Sequence, residues 1–225
     1  MEAIVLAGGF GSRLKEITKE IPKPMVDIDG NPFLEILLIF LKKRGIKKVI
    51  LSVGYKKEYI INHFKNSFLG LEIVYSKEDK PLKTGGAIKQ ALKLTKNENI
   101  FIFNGDTFFD VDLQDMLKKH IANKSDITIA LKKMHKFSRY GSVVLDKDKV
   151  IKFKEKKYCK EGFINGGVYV IKRDILKGKK DVFSFEEYLS STKKAIYGYK
   201  SDGYFIDIGI PKDYYKAQKD LVKWL

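Results

Sequence analysis

Gly8, Gly9 and Gly11, then Ser12 and Arg13, then Lys23 between Pro22 and Pro24, form a set of residues suited to holding phosphate. Glycines allow positive φ and let a ligand reach the main chain, so successive N–H groups can face an anion. Arg13 and Lys23 add fixed positive charge on both sides of the turn, and the two prolines stiffen the backbone that carries Lys23. Two commoner phosphate loops do not fit. A dinucleotide fingerprint needs a third glycine where Leu14 stands, and the strand candidate Lys48 to Val53 is not followed by an acidic residue. A P-loop needs Gly-Lys-Ser/Thr where this chain has Arg13-Leu14-Lys15.

The elements around this loop read as an α/β protein. Ala3 to Ala7 is an apolar strand that delivers its carboxyl end to the glycines. Pro32 opens a helix to about Arg44, stopped by Gly45; Lys48 to Val53 is a strand, Lys57 to Phe64 a helix, and Glu72 to Tyr75 a strand. Gly86 to Leu94 follows as a helix with Ala87, Ala91 and Leu94 on one face, then Ile100 to Phe103 as a strand. This alternation predicts a mainly parallel, doubly wound sheet covered on both faces. Asp106, just past the end of the last strand, stands where such a sheet places ligand groups, although a lone Asp there also serves as a helix cap. From 126 to 200 the strand candidates become more polar and alternating (Thr128 to Leu131, Ser142 to Leu145, Val150 to Glu155, Phe163 to Ile171), which predicts a small antiparallel, substrate-binding part. Ser184 to Glu187 is a capping box, and Pro211 begins a last helix whose Tyr214, Leu221, Val222 and Trp224 pack on the domain or on a second copy in a homodimer. The organisation expected is one domain over 1–225: a nucleotide-binding part to 125, a sugar-binding part over 126–200, and a returning segment over 201–225.

The run Leu6-Ala7-Gly8-Gly9, Gly11, Arg13-Leu14, with Thr18 and Pro22-Lys23-Pro24-Met25, resembles the signature of the sugar-1-phosphate nucleotidyltransferases. Later matches extend the resemblance from Met1 to about Gln218. It implies a Rossmann-like fold, with Leu6, Ala7, Gly8, Gly9, Gly11 and Ser12 on the nucleotide, Arg13 at the β and γ phosphates and Lys23 at the α-phosphate. Gly105-Asp106 is similar to the family's Gly-Asp, and 205–211 to its Asp-x-Gly-Thr-Pro with Ile210 in place of Thr, which implies Asp106 and Asp207 as magnesium ligands. Two carboxylates completed by phosphate oxygens and water suit the octahedral demand of Mg²⁺.

Three segments resemble sugar-site motifs: Tyr140-Gly141; Phe153-Lys154-Glu155-Lys156, with Lys157 where the family has Pro; and Asn165 to Tyr169. The resemblance places Glu155 and Asn165 on sugar hydroxyls and Lys156, with Asp106, at the sugar phosphate. A turn glycine, a solvated lysine and a strand bulge are the plainer readings of Gly141, Lys156 and Asn165. Leu82-Lys83-Thr84-Gly85-Gly86 is similar to the family's Leu-Gly-Thr-Gly-Gly, Lys83 being the departure; with Glu78 it is expected to read the base through Thr84 and Gly85, unless Glu78 only caps its strand.

The implied reaction is in-line attack of a sugar 1-phosphate on the α-phosphorus of a nucleoside triphosphate, with release of pyrophosphate. The nucleophile is already an anion, so no general base is needed, and no Ser/His/Asp or Cys/His set is apparent. Within the family the chain is most similar to the D-glycero-α-D-manno-heptose 1-phosphate guanylyltransferases of bacterial surface-polysaccharide synthesis, which implies GTP and a heptose phosphate. Uridylyl, cytidylyl or thymidylyl transfer to a hexose 1-phosphate is the alternative. A nucleotide-sugar sensor without turnover is disfavoured by the presence of both carboxylates and both loop cations.

Charge sets limits on other classes. The net charge of +16 could suggest nucleic acid, but only Arg13, Arg44, Arg139 and Arg173 among the 44 basic residues are arginines, and they lie far apart. No helix-turn-helix, RNP or zinc-finger spacing occurs, so scattered lysine reads as solvated surface and no nucleic-acid partner is expected. No apolar run reaches the roughly 18 residues that span a bilayer, and Glu2 does not suit a signal peptide, so no membrane partner and a cytoplasmic location are expected. Cys159 is the single cysteine and forms no internal disulfide.

Overall fold

The computed structural model describes residues 1–9, 14 and 21–225. Strand β1 is Glu2–Leu6; the short β2 (Asp27–Ile28) and β3 (Asn31–Pro32) pair before helix α1 (Phe33–Lys43). Then come β4 (Lys48–Val53), α2 (Lys57–Phe64), β5 (Ser67–Phe68), β6 (Leu71–Lys77), α3 (Lys83–Leu92), β7 (Asn99–Asn104), β8 (Thr107–Phe109) and α4 (Leu113–Ala122). The second half holds β9 (Ile127–Phe137), β10 (Ser142–Asp146), β11 (Lys149–Phe153), β12 (Cys159–Lys172), α5 (Phe185–Ser191), β13 (Ile196–Ser201), β14 (Phe205–Asp207) and α6 (Pro211–Asp220).

Ten of these strands form one sheet, ordered β10-β11-β13-β9-β12-β7-β1-β4-β6-β5. β1 lies at the parallel centre, between β7 and β4, with β6 parallel beyond β4. Because successive side chains leave opposite faces of a strand, Ala3 and Val5 enter one core with Phe33, Phe40 and Phe103, while Ile4 enters the other with Ile50, Ile88 and Ile102. Burial on both faces is why β1 and β4 read as continuous apolar runs.

The antiparallel part is continuous with this sheet. The second half of β12 runs against β7, pairing Val168 with Phe103; β9 pairs with both halves of β12, and the start of β10 with its first half. The pairings therefore run from β10 through β11, β13, β9 and β12 back to β10. β12 changes register between Asn165 and Tyr169, around Gly167 at φ 72°. Such a bulge re-aims a side chain.

Several elements differ from the sequence reading. α4 occupies a stretch to which periodicity assigns nothing; Asp112 caps it, accepting from the backbone of Gln114 and Asp115. α3 begins at Lys83 and ends at Leu92, so Leu94 lies beyond it and is exposed rather than on its buried face. The last helix stops at Asp220, before a turn over Val222–Trp224. Leu221 is fully buried and the Trp224 ring meets Phe40 and Phe108, so these residues pack on their own domain, whereas Val222 is exposed. No helix among the described residues is long and apolar enough to cross a membrane.

Candidate active site

The carboxyl ends of β1, β4 and β7 set the floor of the site. Their register aligns Leu6 with Ser52 on one side and Asn104 on the other. Gly105 donates its N–H to the Leu6 carbonyl at 3.0 Å, and a Cβ there would stand 2.4 Å from that oxygen. This close approach holds Asp106 at the strand end.

A cavity of about 660 Å³ opens over this floor, lined by Leu6, Gly8 and Gly9 together with Lys23, Glu78, Lys80, Lys83 and Thr84. A second, of about 420 Å³, is lined by Arg139 to Gly141, Glu155, Lys156, Asn165, Tyr169 and Asp207. Asn104, Asp106 and Glu186 belong to both. The two cavities thus meet at a carboxylate.

In the first cavity Lys23 sits in a helical turn, Lys23–Met25, entered through Pro22. Its side chain is largely buried and its ammonium donates to Asp106 Oδ2 at 2.5 Å. Glu78 follows β6, its N–H donating to Val53 at 2.8 Å. Burial pushes the Glu78 carboxyl above its usual range, opposed by hydrogen bonds from the Leu82 N–H at 3.1 Å and the Ser52 hydroxyl at 3.4 Å. Gly8 packs against this carboxylate, a Cβ there falling 2.8 Å from Glu78 Oε1. Thr84 donates its hydroxyl to Glu186 at 2.6 Å and accepts from the Phe185 N–H at 2.9 Å.

In the second cavity β14 pairs antiparallel with β8, setting Asp207 opposite Thr107, and the Ile208 N–H donates to the Asp106 carbonyl at 3.0 Å. Two residues distant in sequence thereby become neighbours. Asp207 Oδ1 accepts the Gly209 N–H at 2.7 Å; Oδ2 receives Arg139 at 3.2 Å and the Tyr140 hydroxyl at 3.4 Å. Burial first, and then the Asp207 charge, push the Tyr140 hydroxyl upward, so it remains a donor. At the β12 bulge the Asn165 amide donates to the Tyr169 hydroxyl at 2.9 Å, and its Oδ1 accepts the Gly167 N–H at 3.0 Å. Glu155 and Lys156 stand exposed on the rim, with no ion pair among the described residues.

Among the described residues no group of three or more His, Cys, Asp or Glu side chains is placed to hold a metal ion. Asp106 and Asp207 offer two carboxylates, and each already has a cation beside it, which is the neutralisation a divalent ion would provide. The pair fits a hard, oxygen-seeking ion whose other ligands come from phosphate and water.

The nucleotidyl transferase family model matches residues 2–223. The chain belongs to the nucleotidyl transferase family. A D-glycero-α-D-manno-heptose 1-phosphate guanylyltransferase of Aneurinibacillus thermoaerophilus is 51% identical over 230 residues, covering 100% of both chains. One from Campylobacter jejuni subsp. jejuni is 51% identical over 220 residues, covering 96% of this chain and 97% of that one. Among solved structures, HddC from Yersinia pseudotuberculosis complexed with GMP-PN is similar at a TM-score of 0.88 and 38% identity, over 97% of this chain and 98% of the other.

Within this nucleotidyl transferase most of the residues singled out from sequence border one of the two cavities. Gly11, Ser12 and Arg13 lie outside the described residues. Ala7 is fully buried behind the loop, its N–H donating to Ser52 at 2.8 Å. Gly85 stands outside the cavity lining: its N–H donates to the Phe183 carbonyl at 2.9 Å, and a Cβ would meet the Phe183 ring at 2.3 Å. Gly141 is pressed on by the Lys154 carbonyl, 2.5 Å from where a Cβ would stand. Lys83, where the family resemblance has glycine, takes the left-handed conformation at φ 58°. Arg139 and Glu186 were not singled out from the sequence. The rarity of arginine was a signal for the first, whereas the capping sequence absorbed the second: Ser184 does accept from Glu187, but Glu186 reaches both cavities.

Proposed function

We propose that this chain transfers the GMP unit of GTP to D-glycero-α-D-manno-heptose 1-phosphate, releasing pyrophosphate and forming a GDP-heptose for surface-polysaccharide synthesis in the cytoplasm. The observation that carries the reaction type is the junction of two cavities at Asp106, with Lys23 on one side and Asp207 delivered from the other. The choice of GTP and heptose rests on the names of the full-length relatives at 51% identity.

In this reading the triphosphate lies along the glycine loop, with Lys23 leaving Asp106 for the α-phosphate and Arg13 taking the β and γ phosphates. Lys156 holds the incoming sugar phosphate, while Glu155 and Asn165 accept from and donate to sugar hydroxyls. A sugar-phosphate oxygen bonds to the α-phosphorus as the bond to the bridging oxygen breaks, and the electron pair leaves with pyrophosphate. The rate depends on alignment and on charge neutralisation, not on proton transfer. Mg²⁺ held by Asp106 and Asp207 supplies part of that neutralisation when bound. Glu78 is the acceptor for the base: guanine offers N1–H and N2–H donors together, whereas uracil and thymine offer one donor, so a desolvated carboxylate favours guanine.

The test is pyrophosphate release across four nucleoside triphosphates and a panel of sugar 1-phosphates. GTP with the heptose phosphate should exceed every other pair by about tenfold or more in kcat/KM. Faster turnover of UTP, CTP or dTTP with a hexose 1-phosphate would establish the alternative specificity, and release from no pair would favour a sensor.

A further inference from the structure

Among the described residues, Arg139 is held by more groups than any other cation bordering the cavities. Its guanidinium reaches Asp213 and Asp207, the latter at 3.2 Å, and it donates to the Tyr140 hydroxyl at 2.6 Å while lying 5.0 Å from the centre of that ring. Asp213 lies in the first turn of α6, where the helix dipole favours a carboxylate. All three side chains are substantially buried, with 30%, 16% and 24% of Arg139, Asp207 and Asp213 exposed. A partly buried charge must keep a partner, and Arg139 has two. One of them is a proposed metal ligand, with its Oδ1 already bound to the Gly209 N–H and its Oδ2 turned to Arg139.

We propose that Arg139 is a counter-cation that covers the ion-binding oxygen of Asp207 until the triphosphate is in place, with Asp213 retaining it when it withdraws. The inference rests on the two-carboxylate reading of the site. A divalent ion arriving alone must displace Lys23 from Asp106 and Arg139 from Asp207 with nothing to receive the lysine. With the triphosphate present, Lys23 gains the α-phosphate, Arg139 keeps Asp213, and phosphate oxygens complete the ion's shell. The nucleotide-free protein therefore binds the ion weakly, and the ion enters with the nucleotide. Arg139 is a positioning residue in this scheme, acting through Asp207.

The test is Mn²⁺ binding followed by electron paramagnetic resonance, without and with GTP, in the wild type and in Arg139→Gln, Asp213→Asn, Lys154→Gln and Asp207→Asn. Lys154 is exposed on the same cavity and reports the effect of the general field. Without nucleotide, Arg139→Gln should bind Mn²⁺ about tenfold more tightly, and Lys154→Gln should change it by less than about twofold. Asp213→Asn should bind it more weakly, because Arg139 is then confined to Asp207. With GTP the advantage of Arg139→Gln should vanish. A purely structural Arg139 predicts the opposite sign, since its loss would loosen Asp207. Equal or weaker Mn²⁺ binding in Arg139→Gln, or an equal gain in Lys154→Gln, overturns the proposal. If circular dichroism shows that Arg139→Gln does not fold, unchanged or tighter binding in Asp213→Asn overturns it instead. Asp207→Asn separates the two ideas: if it leaves Mn²⁺ binding with GTP intact, the two-carboxylate site itself is wrong, whereas if it weakens that binding and Arg139→Gln brings no gain, only the counter-cation role fails.

Discussion

The cavity proposed for the nucleotide and the one proposed for the sugar share Asp106 but are built from different materials. The first is a rim of loops that leave parallel strands: Gly8 after β1, Gly54 after β4, Glu78 after β6 and Asp106 after β7. The second is made of side chains from a hairpin, a bulge, a helix and a ribbon, namely Glu155, Asn165, Glu186 and Asp207. A rim of strand ends presents backbone groups and takes its shape from the sheet, so it accommodates a phosphate chain whatever the base. A wall of polar side chains is set by tertiary packing and can change sugar without changing the sheet. The contrast predicts that chemistry concentrates at the shared carboxylate while selectivity divides between the walls.

The largest effect should come from the shared centre. Asp106→Asn and Asp207→Asn should each lower kcat by at least about 100-fold with the fold retained, while the melting temperature falls, more for Asp106→Asn because the largely buried Lys23 then loses its carboxylate. Near-normal turnover in either at saturating Mg²⁺ would mean that the cavities do not share one charged centre. Next in size are the two lysines, one on each side. Lys23→Ala should lower kcat/KM for the triphosphate by about 100-fold, and Lys156→Ala should raise KM for the sugar phosphate by about tenfold with little effect on that for the nucleotide. If Lys156→Ala damages both substrates equally, the division between the walls is wrong.

Smaller again is the effect expected at Glu78, the proposed acceptor for the base. Glu78→Gln should cost about tenfold in kcat/KM for GTP and less for UTP or CTP. Only the ionised carboxylate accepts both guanine donors, and burial raises its pKa. The preference for GTP should therefore fall as pH is lowered through that raised pKa, beginning at a higher pH than an ordinary carboxyl would require, and Glu78→Gln should show no such fall. The smallest effect is on stability. Lys83 holds φ 58°, so Lys83→Gly should remove left-handed strain of about 1 kcal/mol, partly offset by glycine's freer unfolded chain, and raise the melting temperature slightly. A lower melting temperature would show that the Lys83 side chain makes a contact worth more than the strain.

The first cavity was the more legible in sequence because its residues follow strands whose periodicity is clear. β4 and α2 are observed at the boundaries read from their patterns, and the glycine loop follows β1 directly. α4 was not legible because its buried face contains His120 beside Leu113 and Met116. That imidazole is acceptable inside because Thr128 lies 2.8 Å from Nδ1 and Asn99 3.1 Å from Nε2, and burial lowers its pKa to about 4, keeping it neutral. β13 was hidden by Gly198, which breaks an apolar pattern yet is required where Leu131 would stand 2.4 Å from a Cβ. Gly85, expected from the sequence to belong to the base-reading loop, makes room for the Phe183 ring. Arg139 in a polar loop looks like solvated charge, and the return of β14 and α6 supplies its carboxylate partners, Asp207 and Asp213.

That return also gives the protein a timetable. On the ribosome, the glycine loop, Lys23 and Asp106 are all made long before residues 203–207, which carry Asp207 back to lie beside β8. The last step passes through Gly203, where even a methyl group would stand 1.8 Å from the Asp110 carbonyl oxygen. In the proposed function, the residues assigned to the triphosphate therefore precede in synthesis the carboxylate assigned to the ion, and the chain reaches that carboxylate through a position with room for glycine alone.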